Sequence, residues 1–150
     1  MTHELAIDLI LDAPADKLFR CYTDPKLLQK WFAPEPWSIE SVDIDPRAGG
    51  RMNFVMASPE GEEFRNSGIY LDVVPNKKIV TTDAITPDLR PSGPFLIAEI
   101  TFEDLGNGKT RYRAVARHWN EETMQQHQEM GFESGWTQTA RQLEALAKTL

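Results

Sequence analysis

Gly106-Asn107-Gly108, flanked on both sides by alternating apolar residues, constrains this chain more than any other feature. Asn-Gly favours the left-handed backbone of a tight hairpin, so the runs around it pair antiparallel. Leu96, Ala98, Ile100 and Phe102 share one face of the first run, and Tyr112, Ala114, Ala116 and His118 share one face of the return. The opposite face carries Glu99 and Glu103 against Arg111, Arg113 and Arg117, a pattern that suits a solvated outer surface with weak cross-strand ion pairs. The hairpin thus predicts an antiparallel sheet with one buried side.

The same reading extends upstream. Leu5, Ile7, Leu9 and Leu11 alternate with Glu4, Asp8 and Asp12, a half-buried strand. Strands are expected over 38–45, 51–57, 64–74 and 78–84, separated by Arg47-Ala48-Gly49-Gly50, Pro59-Glu60-Gly61 and Pro75-Asn76. Apolar groups fall on both faces around Gly68 and Tyr70, which predicts a bulge at Gly68. Residues 85–94, with Pro87, Pro91, Gly93 and Pro94, read as a loop that could gate an opening.

Helices fill the rest. Pro14 suits a first helical turn, with Leu18, Phe19 and Tyr22 at helical spacing. Asp24-Pro25 repeats the start signal ahead of Leu27, Leu28, Trp31 and Phe32. Near the C-terminus, Asn120 caps a segment whose Phe132, Trp136, Ala140, Leu143, Ala147 and Leu150 step by 4, 4, 3, 4 and 3. That stripe predicts one long helix, with Gly131 and Gly135 as points of bending. The class is therefore α+β: a curved antiparallel sheet wrapped around a long C-terminal helix, with two short helices after the first strand. A gap between sheet and helix is the natural place for a ligand.

At 150 residues the chain reads as a single domain, 1–150, long enough to bury a core without disulfides. Its net charge of −7 argues against nucleic acid and anionic membranes as partners. No apolar run approaches the roughly 20 residues of a membrane span. The lone cysteine, Cys21, reads as a buried small hydrophobe and suits a reducing, cytoplasmic setting.

Familiar catalytic signatures are missing. His3, His118 and His127 have no metal-ligand spacing with one another or with Cys21, so neither a metal nor another cofactor is expected. There is no P-loop or dinucleotide fingerprint, and Ser134 lacks the first glycine of a nucleophile elbow. No residue is assigned a catalytic role. What remains is a set of polar groups on apolar faces. Ala114 and Ala116, between Tyr112 and His118, leave room that a filled core would not want. Trp31, Phe54, Tyr70, Tyr112, His118 and Trp136 are the candidate ligand-binding residues, with Met124, Met130 and Phe132 as alternative fillers of the space. His118 is expected at a wet strand end, and His127 among Gln125, Gln126 and Gln128 is expected to face solvent.

Taken together, residues 13–19, Thr23-Asp24-Pro25, Lys30-Trp31-Phe32, Arg47-Ala48-Gly49-Gly50, Gly68-Ile69-Tyr70, Pro75-Asn76-Lys77-Lys78-Ile79-Val80 and Gly135-Trp136 resemble the heat-shock protein 90 ATPase activator homologue family, of the START-like (SRPBCC, helix-grip) superfamily. The resemblance implies the helix-grip fold. It also implies a choice of function: binding a hydrophobic small molecule, a cyclase or hydrolase using Tyr112 or His118 as general acid or base, or a co-chaperone-like interaction module. In the co-chaperone a preceding domain contacts the chaperone, and 150 residues leave no room for one, so a chaperone partner is not expected. A homodimer stays open. Ligand binding, which needs only the cavity, is the leading expectation.

Overall fold

The computed structural model describes residues 3–93 and 96–150. Strand β1 (Glu4–Leu11) leads into helices α1 (Ala15–Thr23) and α2 (Pro25–Leu28). Six strands follow: β2 (Ser38–Ile44), β3 (Arg51–Ala57), β4 (Glu63–Val74), β5 (Lys78–Thr82), β6 (Ile97–Gly106) and β7 (Lys109–Arg117). Helices α3 (Glu121–Glu129) and α4 (Phe132–Ala147) complete the chain. The seven strands form one antiparallel sheet in the order β1-β7-β6-β5-β4-β3-β2. The two helices after β1 therefore carry the chain from one edge of the sheet to the other, and the meander returns it to β1. This is the helix-grip arrangement expected from the sequence.

Local chemistry explains the boundaries. Pro14 precedes α1, the Asp24 carboxylate accepts from the Lys26 amide at the start of α2, and Asn120 Oδ1 accepts from the Thr123 amide at the start of α3. The hairpin at Asn107 has the left-handed backbone its sequence requires, with φ of 56° at Asn107 and 71° at Gly108. On the outer face Arg117 bridges Glu4 and Glu99, and Arg111 bridges Asp8 and Glu103, so each arginine clamps three strands.

Two expectations need correction. The C-terminal stripe is not one helix: Gly131, at φ 91°, breaks it into α3 and α4. A left-handed residue cannot continue a right-handed helix, and glycine takes that backbone without steric cost. The irregularity in β4 lies between Tyr70 and Asp72, not at Gly68. Gly68 is needed for another reason, because a Cβ there would sit 2.2 Å from the Thr82 carbonyl oxygen. Residues 85–93 form the expected loop, pinned by an antiparallel bridge that joins Ile85 to Pro91 and by Ser92 N–H donating to the Ala84 carbonyl. Pro94, the end of the expected loop, lies outside the described residues.

The core runs through the contact of α1 and α4 with the sheet, with Leu11, Leu18, Leu28 and Leu143 fully buried. Among the described residues no helix is long and apolar enough to cross a membrane.

Candidate functional site

Small residues decide where the molecule is solid and where it is hollow. α4 packs against β1 and α1. Ala114 and Ala116 on β7 and Ala140 and Ala147 on α4 are all completely buried, so the alanines mark a close-packed part of the core and not open room. This overturns the expectation that Ala114 and Ala116 border the cavity. The space opens further across the sheet, over Ala98, Ile100, Ile79 and Tyr70. There the cover is supplied by the turn after α2 and by the corner between α3 and α4. The pocket so enclosed has a volume of about 530 Å³.

Its walls are aromatic and are held from behind. The Trp31 indole N–H donates to the Cys21 carbonyl at 3.0 Å, tying the turn after α2 to α1. Gln142 of α4 donates to the carbonyls of Trp31 and Ala33, and Gln138 donates to that of Glu35, so α4 pins the same segment. Edge-to-face contacts then run from Tyr22 to Trp31 (4.7 Å between centroids), Trp31 to Phe32 (5.3 Å) and Phe32 to Phe54 (5.2 Å). On the facing wall, Phe132 and Trp136 lie 4.5 Å apart. Asp83 is the one charged side chain on the lining among the described residues, and its carboxylate accepts from the Leu96 amide.

The protein has three tyrosines, and all three line this pocket. Tyr22 and Tyr112 share a 2.5 Å hydrogen bond between their hydroxyls. Tyr70 is 2% exposed, and its hydroxyl has no protein partner. Its backbone is gripped by the turn between β2 and β3: Gly49 N–H donates to the Tyr70 carbonyl, and Tyr70 N–H donates to the Gly50 carbonyl. Burial pushes all three phenols above their ordinary pKa, so each is a neutral O–H donor.

The histidines differ from expectation. His127 is not solvent-facing and His118 is not at a wet rim; each is 7% exposed. The break at Gly131 sets α3 so that the His127 ring meets Phe132 at 5.1 Å and Trp136 at 5.6 Å. His127 Nδ1 lies 2.9 Å from His118 Nε2, and His118 Nδ1 lies 3.1 Å from the His3 carbonyl oxygen. A carbonyl only accepts, so His118 Nδ1 carries a proton. The Nε2–Nδ1 hydrogen bond joins the two rings. Desolvation first, and the neighbouring His118 second, lower the His127 pKa to about 4, so the ring is neutral at pH 7.

Of the six candidates read from the sequence, Trp31, Phe54, Tyr70, Tyr112 and Trp136 come together on the lining, whereas His118 stands behind His127. Tyr22, Phe32, Trp37 and His127 are lining residues the sequence reading missed. Tyr22 and Phe32 looked like ordinary helix stripes. Their one distinguishing signal was aromatic density, four rings within residues 19–22 and 31–32 of a segment already expected to close the sheet's end.

Residues 12–148 match the family described as Activator of Hsp90 ATPase homolog 1-like protein. No curated protein matches the chain. A crystal structure of a Nitrosomonas europaea protein is 40% identical, with a TM-score of 0.93 over 97% of this chain and 94% of that one. A Mycobacterium smegmatis protein is 28% identical, with a TM-score of 0.81 over 97% and 90%. A Staphylococcus epidermidis protein is 27% identical, with a TM-score of 0.82 over 99% and 92%.

Proposed function

The chain belongs to the Activator of Hsp90 ATPase homolog 1-like family, and from that premise we propose that it binds a hydrophobic small molecule in the pocket between the sheet and the corner of α3 and α4. The observation that carries this reading is a space of about 530 Å³ with mainly apolar walls, inside the usual size range of small-molecule sites. Bulky aromatics surround the space without filling it. Trp31, Phe54, Tyr70, Tyr112 and Trp136 supply apolar and aromatic contact.

A cyclase or hydrolase in the same pocket is the second reading. It is favoured by the hydrogen-bonded His118–His127 couple, since a neutral imidazole on the wall is a group that general acid-base chemistry uses.

Titration with N-phenyl-1-naphthylamine, a neutral apolar fluorophore, tests the binding reading. The native protein should enhance and blue-shift its emission with saturation at one site. Ala98→Leu places a larger side chain on the lining and should weaken the probe by about ten-fold, as expected when a filled pocket excludes an apolar group. Unsaturable binding, or equal affinity in a folded Ala98→Leu protein, would contradict the proposal.

A further inference from the structure

The pocket changes character along its length. Its floor crosses five neighbouring strands, β7 to β3, about 19 Å at ordinary strand spacing. A space of about 530 Å³ stretched over that distance is long and thin. At one end Tyr22, Ile79, Ile100 and Tyr112 are all buried, and the polar groups there are engaged within the protein. Tyr22 and Tyr112 bond to each other, the Trp31 indole donates to the Cys21 carbonyl, and the Tyr70 hydroxyl oxygen is inaccessible from the cavity. In the middle stretch Thr82 donates to the Leu96 carbonyl, Thr139 donates to the Trp136 carbonyl, His127 bonds to His118, and Thr81 is half-buried. At the other end the lining comes to the surface. Among the described residues its exposed members are Asn66 and Ser67, near the start of β4, and Met130 at the corner of α3 and α4. That end is the mouth.

We propose that the pocket takes a single-chain amphiphile tail-first, with its polar head left in water at Asn66, and that Asp83 selects against an anionic head. The inference rests on the pocket being a binding site, as argued above, and adds which way round the occupant lies and what head it carries. Direction follows from the two ends. A polar head at the closed end would lose its hydration among groups already engaged, whereas a hydrocarbon chain there displaces water from apolar walls. At the mouth the head keeps its water, beside the Asn66 side chain, which stands opposite Phe54 in the pairing of β3 with β4. A long, thin space suits one chain better than a bulky ring system, and Met52, Met56 and Met130 on its outer part adapt to a flexible occupant. The head's charge follows from Asp83. Gly68 lies two residues inward from Asn66, about 7 Å along β4. Asp83 packs against it, since a Cβ on Gly68 would sit 3.2 Å from the Asp83 Cα. The carboxylate, held by the Leu96 amide, is therefore just inside the mouth. Among the described residues no lysine or arginine lines the pocket, so nothing there offsets its repulsion of an anion.

Calorimetric titration of the full chain with hexanol, octanol, decanol, triethylene glycol monodecyl ether and decanoate, each below its micelle-forming concentration, tests the idea. Affinity should rise about four-fold per added methylene from hexanol to decanol, as the chain fills the closed end. The ether, whose head is several times larger, should bind within about three-fold of decanol, because that head lies in water. At low salt decanoate should bind at least about three-fold more weakly than decanol. Asp83→Asn keeps an acceptor for the Leu96 amide, and with its fold checked by circular dichroism it should erase that gap. An affinity that does not change with chain length, or loss of binding on enlarging the head, would overturn the tail-first orientation. Decanoate binding as tightly as decanol, or a gap unchanged in folded Asp83→Asn, would overturn the selection by Asp83. Binding of N-phenyl-1-naphthylamine but of no chain would overturn this inference and leave the pocket reading standing, and binding of neither would overturn both.

Discussion

The hydroxyls of Tyr22 and Tyr112 lie 2.5 Å apart, joining the last turn of α1 to the middle of β7 inside the molecule. Both phenols are buried and held neutral by desolvation. The bond is therefore a structural link and part of the pocket at once. Removing either hydroxyl strands the other: Tyr22→Phe and Tyr112→Phe should each cost about 1 kcal/mol. The double variant should cost no more than either single one, because no buried hydroxyl is then left unpaired. Urea unfolding of the three variants measures this, and simple additivity would contradict it.

Tyr70→Phe should have the opposite sign. Its hydroxyl is buried without a protein partner, so removing it relieves an unmet polar group. The ligand-free protein should gain about 1 kcal/mol, visible as a higher melting temperature. A loss of stability would mean that the hydroxyl is satisfied within the protein.

Stability should fall on acidification through His127. In the fold its pKa is lowered to about 4 from an ordinary value of 6.5. Between those values the unfolded chain binds a proton that the folded chain refuses, so stability is full above about pH 6.5 and declines as pH drops toward 4. His127→Gln keeps a hydrogen-bonding group near His118 but cannot titrate. Its melting temperature should drop less than that of the unaltered protein between pH 6.5 and 4, and parallel curves would contradict the assignment.

Phe132 and Trp136 share the start of α4 but not a role. Phe132 is 3% exposed, and Phe132→Ala should cost about 3–5 kcal/mol. Trp136 is half-buried and faces the pocket, so Trp136→Ala should cost about half as much and weaken the fluorescent probe more. Denaturant melts and probe titration of both variants separate the two effects.

Most of the fold was legible because its signals are local. The Asn-Gly hairpin, the alternation of β1, β6 and β7, and the caps at Asp24 and Asn120 each act within a few residues. Five lining residues were legible because large aromatics on buried faces converge where a sheet is covered at one end. The helix break was not. Gly131 inside a periodic stripe is compatible with a continuous helix, and the left-handed φ that ends α3 is set by tertiary packing. His127 was missed for the same reason, since its glutamine neighbours suggest solvent while Phe132 and Trp136 bury its ring across the break. Ala114 and Ala116 misled because a small residue is read equally well as a gap or as a close contact. The structure assigns them to buried core, and the open lining residue is Ala98, directly opposite Ala116 in the sheet.

The central claim concerns where a ligand sits, and intermolecular nuclear Overhauser effects test it most directly. With N-phenyl-1-naphthylamine bound to isotope-labelled protein, contacts should appear to the rings of Trp31, Phe54, Tyr70 and Trp136, which surround the pocket from both sides. Contacts confined to exposed apolar groups away from the pocket, such as Ile10 and Trp119, with none to those four rings, would contradict the account.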